Sequence, residues 1–293
     1  MNCSIKNEYY TITVSSLGAE LISVKANDGF EYLWQNPGQF WDSHAPLLFP
    51  ACGRLKNQRY TYRGVEYSME LHGFLKDMNF AVATREGSHI TMTFSSNEES
   101  KKIYPFDFTA IADYELKGEE IIFTFKVTNT GKETLPYMFG WHPGFNLPTG
   151  ENLDINDYKV YVGNVEELNW FPFENFPFAS SVSKKYPIKD GAYQLSEDEI
   201  YKNDTMIFTG HENIAILSAD NHPFKIEFKW SDNLPYLCIW KEEFNAAKFL
   251  CLEPWSDIPF YTPEETENFD VRVMSHLGVG TSETFTYSLM LKH

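Results

Sequence analysis

Apolar and polar positions alternate with a period of two along much of the chain. The runs cover residues 9–14, 20–24, 60–67, 80–84, 90–94, 108–116 and 121–127, and again 214–218, 224–230, 236–240, 249–252 and 285–291. Successive side chains of an extended segment point to opposite faces, so each run reads as a strand with one face turned to a core. Arg63-Gly64, Glu86-Gly87 and Lys117-Gly118 place glycine between such runs. Tight reversals there need positive φ, which predicts hairpins. A sustained 3.6-residue stripe is missing, and the best helical candidate, residues 196–201, spans a turn or two. The pattern predicts a mainly β protein, a large antiparallel β-sandwich in which residues 1–293 form a single domain. Residues 146–203, rich in Pro, Asn and Glu, interrupt the alternation. Strand-like runs resume afterwards with no change of composition, so this segment is expected to be a long insertion folded over the sandwich.

Composition narrows the partners. Aromatic residues make up 16% of the chain, with 24 Phe, 17 Tyr and 7 Trp. They suit a pleated core and also suit stacking on the apolar faces of sugar rings. The formal net charge of −17 repels phosphate backbones and anionic lipid alike, which argues against nucleic-acid and membrane partners. The start, Met1-Asn2-Cys3-Ser4-Ile5-Lys6, lacks the basic and apolar regions of a secretory signal, and the expected location is cytoplasmic. Cys3, Cys52, Cys238 and Cys251 show no short paired spacing of a zinc or thiol-exchange motif, and are expected to be buried thiols.

Two runs stand out as candidate chemistry. Gly140-Trp141-His142-Pro143-Gly144-Phe145 confines a histidine between an indole and a proline, and Cys251-Leu252-Glu253-Pro254-Trp255 sets a carboxylate in apolar surroundings. One imidazole and one carboxylate of raised basicity are the parts of paired acid and base catalysis. Arg54 reads either as half of a surface ion pair or as a forked donor to hydroxyls or an anion. His72, in Leu71-His72-Gly73-Phe74, sits beside a glycine that lets backbone approach closely; Asp204 reads as a turn cap or a ligand, and Trp240 as core or a stacking platform. GxSxG elbows, P-loops, dinucleotide fingerprints and HExxH helices are all missing.

In order along the chain come Asn36-Pro37, Trp41, the Ala-Pro-Leu-Leu-Phe-Pro run from Ala45, Gly53-Arg54-Leu55, Leu71-His72-Gly73-Phe74, Tyr104-Pro105-Phe106, the His142 run and Leu252-Glu253-Pro254-Trp255. This series resembles the aldose 1-epimerase (mutarotase) superfamily, especially its shorter bacterial LacX-like branch. The resemblance implies a galactose mutarotase-like sandwich with a sugar-binding groove across one sheet, and no cofactor. It implies Glu253 as general base, His142 as general acid, and Arg54, His72 and Asp204 as substrate-binding residues. Glu253 would take the proton of the anomeric hydroxyl while His142 protonates the ring oxygen; rotation about C1–C2 and reclosure would give the other anomer. The two groups are expected to face each other across the groove. Some members of the superfamily accept hexose phosphates with an arginine soon after His-Gly-Phe, where this chain has Leu75 and Lys76. A free or lightly modified aldose is the expected partner, for a monomer or homodimer. A sugar-binding protein without turnover, and a glycoside hydrolase using Asp204 and Glu253, are the competing readings.

Overall fold

The computed structural model describes the whole chain except residues 36–39, 149–152, 174–176, 199–202, 204, 242–247 and 260–266. Two large antiparallel sheets dominate it. One has nine strands, in the spatial order Ala192–Gln194, Tyr158–Tyr161, Ile214–Ala219, Lys225–Trp230, Ser282–Lys292, Glu120–Asn129, Phe108–Lys117, His89–Ser95 and Ala81–Glu86. The other runs Lys184–Pro187, Glu167–Trp170, Thr205–Thr209, Tyr236–Trp240, Phe249–Trp255, Gly140–Trp141 and Leu47–Leu48, with Gly144–Asn146 also paired to Phe249–Trp255. Three further strands, Asn2–Lys6, Tyr10–Ser15 and Leu21–Ala26, form a small meander.

The expected sandwich is therefore present, and the alternation sets its faces. In Phe108–Lys117 and Glu120–Asn129 every second residue is buried, and the two strands pair without a shift from Lys117↔Glu120 to Phe108↔Asn129. A one-residue slip would turn every apolar side chain to the wrong face. The three predicted hairpins form, with Gly64, Gly87 and Gly118 at φ +74°, +55° and +58°. Aromatic rings from both sheets fill the space between them. Phe125 stacks on Phe139 at 4.2 Å, and Trp141 packs against Phe123 and Tyr287.

Two expectations need revision. Residues 146–203 do not simply lie over the sandwich: Tyr158–Tyr161 and Ala192–Gln194 extend the nine-stranded sheet, and Glu167–Trp170 and Lys184–Pro187 extend the other. Strands of three or four residues carry too few positions for a period of two to register. An α-helix occurs at Glu98–Ile103, where Asn97 and Ser100 form a reciprocal capping box. The helical candidate at 196–201 lies partly outside the described residues. No helix among the described residues is long and apolar enough to cross a membrane.

Candidate active site

All seven residues of Phe249–Trp255 are buried, because the strand is covered on both faces. Its register with Tyr236–Trp240 pairs Cys238 with Glu253 and Trp240 with Cys251, while Gly140 lies opposite Trp255 and Gly144 opposite Cys251. Directly opposed residues share a face. Leu250, Leu252 and Pro254 thus turn to the sandwich core, and Cys251, Glu253 and Trp255 turn the other way. There Glu253 lines a cavity of about 230 Å³ together with His142, His72, Arg54, Trp41 and Trp240.

His142 reaches that cavity because the chain alternates and then breaks. Trp141 points into the core, where its indole N–H donates to the Ala45 carbonyl at 3.0 Å. His142 consequently points outward, and its backbone N–H donates to the Pro46 carbonyl at 3.1 Å. Pro143 has no N–H to continue the ladder, and pairing resumes at Gly144–Asn146. The imidazole stacks on Trp41 at 4.8 Å and meets Trp240 edge-on at 5.6 Å. The two flanking glycines make room for indoles. A β-carbon on Gly140 would lie 2.4 Å from Trp255, and one on Gly144 2.5 Å from Trp41.

Nε2 of His142 stands 3.3 Å from Oε1 of Glu253. The two groups are neighbours on one wall of the cavity and do not oppose each other across a groove as the sequence suggests. The reason is topological: their strands are adjacent in the sheet. Burial raises the Glu253 carboxyl well above its ordinary range, opposed by the nearby Trp255 indole and Cys238 thiol. Neither of these makes a hydrogen bond of ordinary geometry to the carboxyl oxygens. Burial likewise depresses the His142 imidazole, helped by the neighbouring His72. Both groups are pushed toward their uncharged forms.

His72 has a defined tautomer. The Gly53 N–H donates to its Nδ1 at 3.1 Å, while the His72 backbone N–H donates to the Gly53 carbonyl at 2.9 Å. Nδ1 is therefore an acceptor, which leaves the ring proton on Nε2. Desolvation, with Lys76 and Arg54 adding positive potential, pushes its pKa down to about 3. The local backbone explains the His-Gly pair: His72 has φ +65° and Gly73 φ +76°, and a β-carbon at residue 73 would lie 2.1 Å from the Phe49 carbonyl oxygen.

Arg54 and Trp240 also line the cavity. Among the described residues no ion pair holds Arg54. Asp204 lies outside the described residues, although its neighbour Thr205 is on the cavity wall. Lys241 is buried, and His44 is tied through Nδ1 to the Trp34 carbonyl at 2.6 Å. Sequence reasoning missed Glu20, whose carboxylate accepts from the N–H groups of His44 at 2.7 Å and Ala45 at 3.0 Å. It fixes the segment that carries Trp41 and the Pro46 carbonyl. A carboxylate at the head of a predicted strand, beside a run of apolar residues, was the only available signal.

The family model for aldose 1-epimerases matches residues 1–288. The chain is 31% identical over 270 residues to the plasmid-encoded protein LacX of Lactococcus lactis subsp. lactis, with 88% of each chain covered. It is similar in structure to a galactose mutarotase related enzyme from Lactobacillus acidophilus, with a TM-score of 0.91 and 29% identity over 99% of this chain and 97% of that one. A galactose mutarotase-like protein from Lactobacillus casei gives a TM-score of 0.88 and 26% identity, with 99% and 100% covered.

Proposed function

The chain belongs to the aldose 1-epimerase family, and on that premise we propose that it interconverts the α and β anomers of an aldose, with Glu253 as base and His142 as acid. The observation that carries this reading is the 3.3 Å approach of His142 Nε2 to Glu253 Oε1 on the wall of an aromatic-lined cavity. The anomeric and ring oxygens of a cyclic aldose are both bonded to C1. Two proton-transfer groups held side by side can therefore serve both oxygens from one edge of the sugar.

Glu253 takes the proton of the anomeric hydroxyl, and the O–H electrons form the new C1 carbonyl. The C1–O5 bond breaks, its electron pair passes to O5, and His142 supplies the proton there. The open aldehyde rotates about C1–C2, and the same transfers run backward on the other carbonyl face. Ring opening begins from a carboxylate and an imidazolium and ends with both uncharged. Burial disfavours both charges, so it favours the direction of this transfer. The contact between the two groups provides a short path by which the resting, uncharged pair recovers its reactive form.

His72 offers Nε2–H to a sugar oxygen, Arg54 offers its forked donors, and Trp41, Trp240 and Trp255 offer apolar surface to the C–H faces of the ring. The test is anomer exchange measured by magnetisation transfer on a panel of free and phosphorylated aldoses. Exchange is expected with the wild type and to be lost in Glu253→Gln. A panel that binds without accelerated exchange supports the sugar-binding reading instead.

A further inference from the structure

Two of the chain's four cysteines flank one carboxylate. Cys238 is the cross-strand partner of Glu253, and Cys251 precedes it by two residues on the same face. Cys3 stands apart, in the three-stranded meander. The ligating atoms of His142, Cys251 and Glu253 all lie within 4.8 Å of one another, and all three residues are buried.

The spacing is compatible with a metal. His142 Nε2 and Glu253 Oε1 are 3.3 Å apart. That is the edge expected of a tetrahedron with bonds of about 2.0–2.1 Å, the length of zinc bonds to imidazole nitrogen and carboxylate oxygen. With the three ligand atoms within 4.8 Å of one another, the thiol has at most roughly 1 Å to move inward to complete such a set, with a zinc–sulfur bond of about 2.3 Å. Neither oxygen of Glu253 accepts a hydrogen bond of ordinary geometry, although the side chain is only 1% exposed and His142, Trp255 and Cys238 stand beside it. The adjoining cavity gives an entry path and room for water as a fourth ligand. Burial and the neighbouring Glu253 hold the Cys251 thiol well above its ordinary range, opposed in part by Lys241, so the cation itself must displace the thiol proton.

We infer that His142, Cys251 and Glu253 form a binding site for a thiophilic divalent cation, with Zn²⁺ as its representative, and that occupancy silences the acid and base. Sulfur and imidazole ligands select such a cation over Mg²⁺ or Ca²⁺. On binding, the thiol and any carboxyl proton pass to solvent, and the metal takes the lone pairs that would otherwise exchange protons with the sugar.

The direct test is titration of the whole protein with Co²⁺ in buffer free of thiols and chelators. One Co²⁺ per chain is expected, with a thiolate-to-cobalt charge-transfer band that Zn²⁺ abolishes by displacement. Cys251→Ser should lose the band and weaken binding by at least about tenfold, whereas Cys3→Ser should change neither. Should Cys251→Ser not fold, Glu253→Gln removes a different ligand and is held to the same loss of affinity. Absence of stoichiometric binding, or a band and affinity unchanged in these variants, overturns the site. This readout needs no sugar, so it stands or fails separately from anomerisation. The inhibitory consequence does rest on the proposed activity. Zn²⁺ should slow exchange by the wild type, a chelator should restore it, and Cys251→Ser should be at least about tenfold less sensitive relative to its own metal-free rate; equal sensitivity overturns the inhibition.

Discussion

The Trp255 indole occupies the space that a side chain at Gly140 would need: a β-carbon there would fall 2.4 Å from Trp255 Cδ1. Gly140 and Trp255 are direct partners across the sheet, so the indole has no alternative place on that face. Gly140→Ala is expected to displace the indole from the cavity wall and to destabilise the protein by about 1–3 kcal/mol, the usual cost of overpacking. Urea unfolding should register the loss, and sugar binding should weaken in parallel. Unchanged stability and affinity would show that the indole can yield freely, and would remove it from the wall.

Glu253→Gln separates the demands of chemistry from those of the fold. Anomer exchange should fall by about 10²- to 10⁴-fold, the usual contribution of a positioned base. Stability should move the other way. The folded-state pKa of Glu253 is raised above its ordinary 4.5, so its contribution to stability is greatest below that value and is lost as pH rises toward the folded pKa. The advantage of the glutamine variant should therefore grow with pH across this window, by up to about 1.4 kcal/mol per unit. Thermal melts of both proteins across a pH series check it; a difference that shrinks as pH rises contradicts the burial argument.

The pH profile of exchange follows from the same pair. The proposed mechanism requires one proton shared between Glu253 and His142. A second proton enters only as pH falls through the depressed imidazole value, below the ordinary 6.5, and the last one leaves only as pH rises through the elevated carboxyl value, above 4.5. At 3.3 Å the two groups stand close enough for their protonations to be treated as a pair. Its acid limb in kcat/KM should lie below the usual histidine range. A limb centred near pH 6.5 would mean that His142 titrates as though solvated.

Legibility in the sequence followed the reach of each physical signal. Long strands such as Phe108–Lys117 and their glycine turns could be read directly, because alternation over ten residues fixes both type and face. The edge strands within 146–203 could not, because three or four residues do not establish a period. His142 and Glu253 were legible from the unusual company they keep. Their adjacency was not, since it depends on the order of strands in the sheet. Glu20 left almost no trace, because its role is to hold two backbone N–H groups that belong to a distant loop.

His72 offers the sharpest check on the proposed sugar contacts. The Gly53 N–H occupies Nδ1, so the imidazole presents Nε2–H as a neutral donor. Desolvation and two nearby cations hold its pKa near 3, so protonation cannot turn the ring into a charged donor within the working range. Sugar affinity should accordingly show no His72 titration between about pH 5 and 8. His72→Asn tests the donor without disturbing the turn, because asparagine tolerates the left-handed conformation that φ +65° demands. The variant is expected to fold, and to lose up to about tenfold in sugar affinity, the equivalent of one neutral hydrogen bond of about 0.5–1.5 kcal/mol. A variant that folds and binds sugar as tightly as the wild type would remove His72 from the contact set and leave it with the structural task of closing the turn at Gly53.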